Sequence, residues 1–449
     1  MRSFAACFFL LVCGVEAQDT YRAYTESPRL LLRPQRLRLL KRERERQSIR
    51  FQQFDAYISN DQYVPENGFA YSLAGKVYEN KEHCVAAANW LLKPKNGDLR
   101  QRALSLDWCG EMLPAATVAA LRKSVEAETP APATITSLRD RIFAALAFTD
   151  FKPDWSEKVA KESVEHWKKV IAPRIASGQA VAKKELYPLL ELIHAVRDNF
   201  DIDLRTDAPQ YFLDLPLVQM LSYYPAAYPG KDNEFRVSFF ANDGDPDLGL
   251  ALMERAAELA LVSYDNNAEL SQPLQGWLLQ DRYLMRGPEG IPYEFLWANP
   301  YQPGLTYHHL PNSFHDKANG RLLLRGGWEE EARYMCYFDG KLQLFEDGVR
   351  KMVKLSSSAE PVEIGEATLI VGTKEMLKPL QFVLRGDPRE SWYVVGLKAN
   401  TVYDIEVDDN ELREAKTDAG GILSLDFQKE ASGVGVRLRE SLYAKGASE

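Results

Sequence analysis

The chain changes its hydrophobic period once, and that switch constrains its fold more than any other feature. From about Pro28 to Arg286, apolar residues recur near i, i+3, i+4 and i+7, the mark of helices that bury one face. From Arg321 onward the segments are short, alternating and bounded by turns, the mark of antiparallel strands. Helices completed before strands begin imply two segregated domains. The expectation is a multidomain α-then-β chain: a helical domain over 18–286, an aromatic-rich linker over 287–320, and an antiparallel β-sandwich over 321–449.

Local signals refine this. Pro34 opens a helix at its first turn, where a missing N–H costs nothing. Further helices are expected at Glu66–Tyr78, Lys81–Leu92, Leu99–Leu113, Pro114–Glu128, Ile135–Phe148 and Trp155–Ala176. Lys183–Asn199, Ala208–Tyr223, Asp247–Tyr264 and Leu270–Leu284 follow. Short connections between them predict antiparallel neighbours. Gly287-Pro288 and Asn299-Pro300 punctuate the linker. Strands are expected at Arg321–Leu324, Arg333–Phe338, Gln343–Phe345, Ala367–Val371, Leu380–Leu384, Trp392–Leu397, Val402–Val407 and Val434–Leu438. The basic stretch Arg29–Arg50 reads as a solvated helix face, with a polyanion-binding stripe as the alternative.

The first 17 residues predict an export signal. Arg2 precedes an apolar run from Phe4 to Val15, and Val15-Glu16-Ala17 offers small residues for cleavage before Gln18. The run is shorter than a ~20-residue membrane span, so a secreted or periplasmic chain without a transmembrane segment is expected. Cleavage would leave Cys84, Cys109 and Cys336, too few for a disulfide scaffold. Cys84 and Cys109 fall on consecutive predicted helices, which leaves a pair or two buried thiols as alternatives. The 55 Lys and Arg against 64 Asp and Glu, a formal net charge of −9, argue against a general nucleic-acid binder.

Three strings carry a family resemblance: Pro28-Arg29-Leu30-Leu31-Leu32; Ala103 through Asp107-Trp108-Cys109; and Tyr307-His308-His309-Leu310-Pro311 with Leu324-Arg325-Gly326-Gly327-Trp328. With the helices-then-sandwich order, the chain resembles heparinase II/III-like and alginate-lyase-like polysaccharide lyases. The resemblance implies an incomplete α/α toroid ahead of the sandwich, and β-elimination on a uronic-acid polysaccharide. Such a reaction needs a carboxylate neutraliser, a base for the C5 proton and an acid for the leaving oxygen.

The region matching the family's catalytic helix contains Glu191, His194, Arg197 and Asp198, which helical spacing places along one face. The resemblance implies His194 as base or neutraliser and Tyr224 as base and acid. Arg197 would be the carboxylate clamp, and Glu191 the group that orients His194. A structural network bracing adjacent helices is the other reading of the same residues. Tyr223, Tyr293, Trp297, Tyr301, His308 and His309 are expected to bind substrate, because amphipathic aromatics stack on sugar rings. Cementing the two domains is their alternative role. No cofactor is expected. The resemblance also raises a structural divalent metal held by His308, His309, His315 and Asp316, whose spacing matches no specific metal motif.

Two alternatives remain. A glycoside hydrolase would need two opposed carboxylates, drawn from Glu191, Asp243, Asp245 and Glu294. A non-catalytic glycan-binding or scaffold protein would show a cleft without a converging His, Tyr and Arg. The motifs of serine hydrolases, NTPases, dehydrogenases and zinc proteases do not occur.

Overall fold

The computed structural model describes residues 20–60, 66–228, 236–242, 244–265, 268–281, 290–356, 358–376, 378–386, 390–408, 411–426 and 431–441. The expected signal at 1–17, the Gly287-Pro288 break and Asp243 lie outside the described residues. The helical half runs α1 (Pro34–Glu45), α2 (Ile49–Ser59), α3 (Asn67–Tyr78), α4 (Lys81–Leu91), α5 (Leu99–Cys109), α6 (Ala115–Glu128) and α7 (Ile135–Phe148). It continues through α8 (Pro153–His166), α9 (Ala172–Ala176), α10 (Lys183–Phe200), α11 (Pro209–Ser222), α12 (Leu248–Tyr264), α13 (Ser271–Gln280) and α14 (Ile291–Trp297). No helix among the described residues is long and apolar enough to cross a membrane.

Capping fixes where several helices start. Ser48 accepts from the Phe51 amide and Asp98 from the Gln101 amide, while Thr134 and Ser137 form a reciprocal box. The helix expected over Trp155–Ala176 is interrupted by a π turn at Trp167–Ile171. Pro173 lacks an N–H to continue the α ladder, and the wider turn precedes it. α14 lies inside the stretch expected to be linker, because its Phe295 stacks on Phe54 at 4.5 Å and so joins the core.

Every residue of α5 is buried, and the helix packs against α3, α4, α6 and α7. Cys84 and Cys109 form a disulfide between α4 and α5, which settles the alternative left open by the sequence. Two of the family-like strings form one joint. The Asp107 carboxylate accepts the Arg29 and Leu30 amides at 2.8 Å, and Trp108 Nε1 donates to the Leu30 carbonyl at 2.7 Å. Part of the basic stretch is the solvated face expected of it, with Arg38, Arg42 and Arg46 exposed, while its other arginines buckle elements together. Arg29 pairs with Asp150, Arg36 lies 4.3 Å over Trp297, and Arg50 donates to the Glu294 and Ala298 carbonyls.

The strands are β1 (Ser313–Asp316), β2 (Arg321–Arg325), β3 (Tyr334–Phe338), β4 (Lys341–Glu346), β5 (Val349–Val353), β6 (Ser358–Ile364) and β7 (Ala367–Val371). After them come β8 (Leu380–Gly386), β9 (Ser391–Val395), β10 (Val402–Val407), β11 (Glu411–Lys416), β12 (Leu423–Leu425) and β13 (Ala431–Glu440). They form an antiparallel meander β1-β2-β3-β4-β5 and two four-stranded sheets, β12-β9-β7-β6 and β11-β10-β13-β8. Alternation sets the layering. Leu323, Tyr334, Cys336 and Phe338 face the helical core, while Leu322, Leu324, Met335 and Tyr337 face the sheet of β7 and β9. That middle sheet is covered on both sides, since Ile370, Trp392 and Val394 pack toward β8, β10 and β13. The architecture is thus helices followed by a β-sandwich whose sheets stack three deep. One pair, β7 with β9, is parallel, as suits strands buried on both faces.

Candidate functional site

The loop between α9 and α10, residues 177–182, is small and closely held. Gly178 adopts φ +98°, and a Cβ there would sit 2.3 Å from the Ala318 Cβ. Asn319 binds the loop from the sandwich side, donating to the Gly178 carbonyl at 2.8 Å and accepting from the Ala180 amide at 3.2 Å. This clamp leaves a cleft of about 470 Å³ between the loop, α10, α11 and the β1–β2 hairpin. Its volume lies within the range typical of small-ligand sites.

Apolar side chains form most of the wall, including Ile175, Val181, Leu186, Leu215 and Val218, with rings from Tyr211, Phe239 and Phe314. Gln179, Gln210, Gln219, Asp214, Asp316 and Arg321 supply polar groups. Burial raises the Tyr211 phenol above its ordinary value, so it stays neutral as a donor. At the inner end, Lys183 lies 3.2 Å from Glu254 and donates to Ser238 and to the Phe239 carbonyl, and Ser238 donates to Glu254 at 2.6 Å. A bridge between Tyr223 and Ser238 ties this cluster to the end of α11. A smaller cavity of about 170 Å³ shares Ile175, Gln179, Ala180 and Val181 with the cleft and reaches the π turn at Ile171.

The residues singled out from the sequence lie elsewhere. His194 is 2% exposed; its Nε2 lies 2.9 Å from the Ala260 carbonyl, and its ring packs on Trp297 at 4.7 Å and Tyr264 at 4.9 Å. Burial, reinforced by Arg36 and Arg197, holds its pKa well below the ordinary histidine value. Glu191 does not orient His194. It is fully buried and gripped by Arg100, at 2.7 and 3.0 Å, and by Arg139. Arg197 is engaged by Asp198 and by the Tyr264 carbonyl and ring, which leaves no free fork for a sugar carboxylate.

Tyr224 is buried against the meander sheet, donating to Gln343 at 2.9 Å and stacking on Phe345 at 4.7 Å. Tyr223 is buried beside Trp277 at 4.9 Å. His194 therefore packs on α12 and α14 and Tyr224 on β4, and among the described residues these contacts have no member in common. Tyr293 donates to Glu66, and Trp297 donates to the Tyr187 hydroxyl at 2.9 Å, so both act as cement among helices. Tyr301, His308 and His309 are exposed. His308 stacks on Tyr307, whereas His315 is turned to Asp418 at 2.8 Å, so the three histidines do not converge. The third family-like string is another joint: Arg325 lies 4.8 Å over Trp328, whose Nε1 donates to the Leu310 carbonyl.

Of the carboxylates considered for hydrolysis, Asp245 is exposed, Glu294 half-buried and Glu191 sealed. Sequence reasoning missed Gln179, Lys183, Tyr211, Asp214, Gln219 and Arg321, and considered Asp316 only as a metal ligand. The usable signal was the run Ser177-Gly178-Gln179-Ala180-Val181-Ala182, small residues breaking two long helices near the chain's middle.

No family model matches the chain, and no curated protein matches its sequence. Among solved structures it is similar to the crystal structure of heparinase III, at 11% identity with a TM-score of 0.39, over 83% of this chain and 75% of that one. No residue role is carried over from that likeness.

Proposed function

We propose that the chain is an exported carbohydrate-binding protein that holds a saccharide unit in the junction cleft. The carrying observation is the pairing of aromatic faces, Tyr211, Phe239 and Phe314, with amide side chains Gln179, Gln210 and Gln219 around one volume. Rings cover the apolar faces of a sugar, and amides both donate to and accept from its hydroxyls. The Cys84–Cys109 disulfide supports export, since such pairs persist in oxidising compartments.

This reading departs from β-elimination at the α10 helix. Abstraction of a C5 proton needs a base, a neutraliser and an acid around one sugar. His194 and Glu191 are sealed among helices, and Tyr224 lies under the sheet. The test combines calorimetric titration of oligosaccharides with absorbance near 232 nm, the signature of the unsaturated product. Binding without a rise in absorbance is expected, weakened about tenfold or more by Tyr211→Ala with Gln219→Ala. A rise abolished by His194→Ala in a folded protein would restore the lyase and overturn this assignment.

A further inference from the structure

We propose that the cleft selects amino sugars, taking a saccharide unit with a free ammonium and disfavouring sugar carboxylates. The inference rests on the saccharide reading of the cleft. Its charged lining consists of Lys183 and Arg321 against Asp214, Glu254 and Asp316, an excess of one negative charge. The distribution matters more than the sum. Lys183 and Glu254 neutralise each other at 3.2 Å, and both are further engaged through Ser238. What remains for a ligand is one guanidinium and two carboxylates.

Neither carboxylate is paired with a cation among the described residues. Among the described residues Asp214 accepts the neutral amide of Gln210, at 2.9 Å, one turn away on α11. Asp316 accepts the backbone and side-chain N–H groups of Asn319 at 3.1 and 2.8 Å. Both are half-buried, so water screens them less than surface acids. A carboxylated sugar would meet two unneutralised carboxylates for one Arg321. An ammonium would meet the reverse, at a site whose apolar wall strengthens the attraction.

The experiment is calorimetric titration at about pH 6, between ordinary carboxylate and amine values. Three probes of equal length are used: a glucosamine trimer, its N-acetylated counterpart and a galacturonate trimer. The glucosamine trimer is expected to bind about tenfold tighter than the N-acetylated one, with the galacturonate trimer weakest. Asp214→Asn and Asp316→Asn should each reduce the ratio of glucosamine to N-acetylated affinity about three- to fivefold. Glu157→Gln, on the exposed face of α8, controls for general attraction of a cation to an acidic protein and should change nothing. Equal affinities, or tightest binding of galacturonate, would overturn the amine preference while the saccharide site stands. A preference unmoved by either aspartate variant, or lost equally in the Glu157 control, would also overturn it. No binding of any probe would remove the saccharide reading and this inference with it.

Discussion

Replacing Glu191 by Gln removes the single negative charge on which two buried guanidiniums converge. Glu191 is fully buried, and the side chains of Arg100 and Arg139 are 3% and 7% exposed. Taking one partner from a buried ionic cluster costs about 3–5 kcal/mol, because the remaining charge has neither water nor a counter-ion. The structure argues for the lower end. Arg100 keeps Glu66 at 3.4 Å and the Phe69 ring at 4.9 Å, and Arg139 keeps Asp140 at 2.7 Å. The expected loss is therefore about 3 kcal/mol, equivalent to about 6 °C in melting temperature at ~2 °C per kcal/mol for a large domain. Urea unfolding followed by far-ultraviolet circular dichroism measures it. Glu191→Leu combined with Arg139→Met should be less destabilised than Glu191→Leu alone, since the pair removes charge from both sides. A Glu191→Gln protein within about 0.5 kcal/mol of the parent would refute the clamp, since that is the ordinary range for surface substitutions.

Other consequences follow from the same contacts. Cys84→Ala with Cys109→Ala opens a loop of sequence separation 25 and should lower stability by about 3.5 kcal/mol on the chain-entropy account; an unchanged unfolding midpoint would contradict it. Burial raises the Glu258 carboxyl from 4.5 to about 7, with Arg255 at 3.7 Å opposing only in part. The folded chain then holds a proton that the unfolded chain releases. This contribution is complete below pH 4.5 and is lost as pH rises through about 7. Glu258→Gln should therefore gain relative stability over that interval, on the order of 3 kcal/mol, and a parallel pair of pH profiles would refute the assignment. Gly178→Val should damage the cleft by pushing the loop off Ala318, lowering saccharide affinity with little change in the far-ultraviolet spectrum. Affinity equal to the parent would show that the loop is not the wall.

Much of the fold was legible because periodicity reports burial locally. The helices at Lys81, Leu99, Ile135 and Lys183 begin where the pattern places them. Partner choice was not legible. Ala367-Thr368-Leu369-Ile370-Val371 is continuously buried, a hint of a strand covered on both faces, yet no local signal says that it pairs in parallel with β9. The site was hidden for a related reason. Helical spacing suggested Glu191 and His194 as one functional face, but spacing cannot say what each side chain meets: His194 packs on α12 and α14, whereas Glu191 is held from α5 and α7. Its partners, Arg100 and Arg139, are 91 and 52 residues away in sequence. The three family-like strings were real structural signals whose visible work is joinery: Asp107 and Trp108 hold Arg29 and Leu30, and Trp328 holds Leu310.

The most direct test of the account is a crystal structure of the protein grown with an oligosaccharide. The account predicts sugar density between the 177–182 loop, α11 and the β1–β2 hairpin, with hydroxyls on Gln219 and Asp214 and a ring face on Tyr211. Density beside His194 or Tyr224, with the surrounding helices moved apart to admit it, would contradict the account and return the site to the α10 helix.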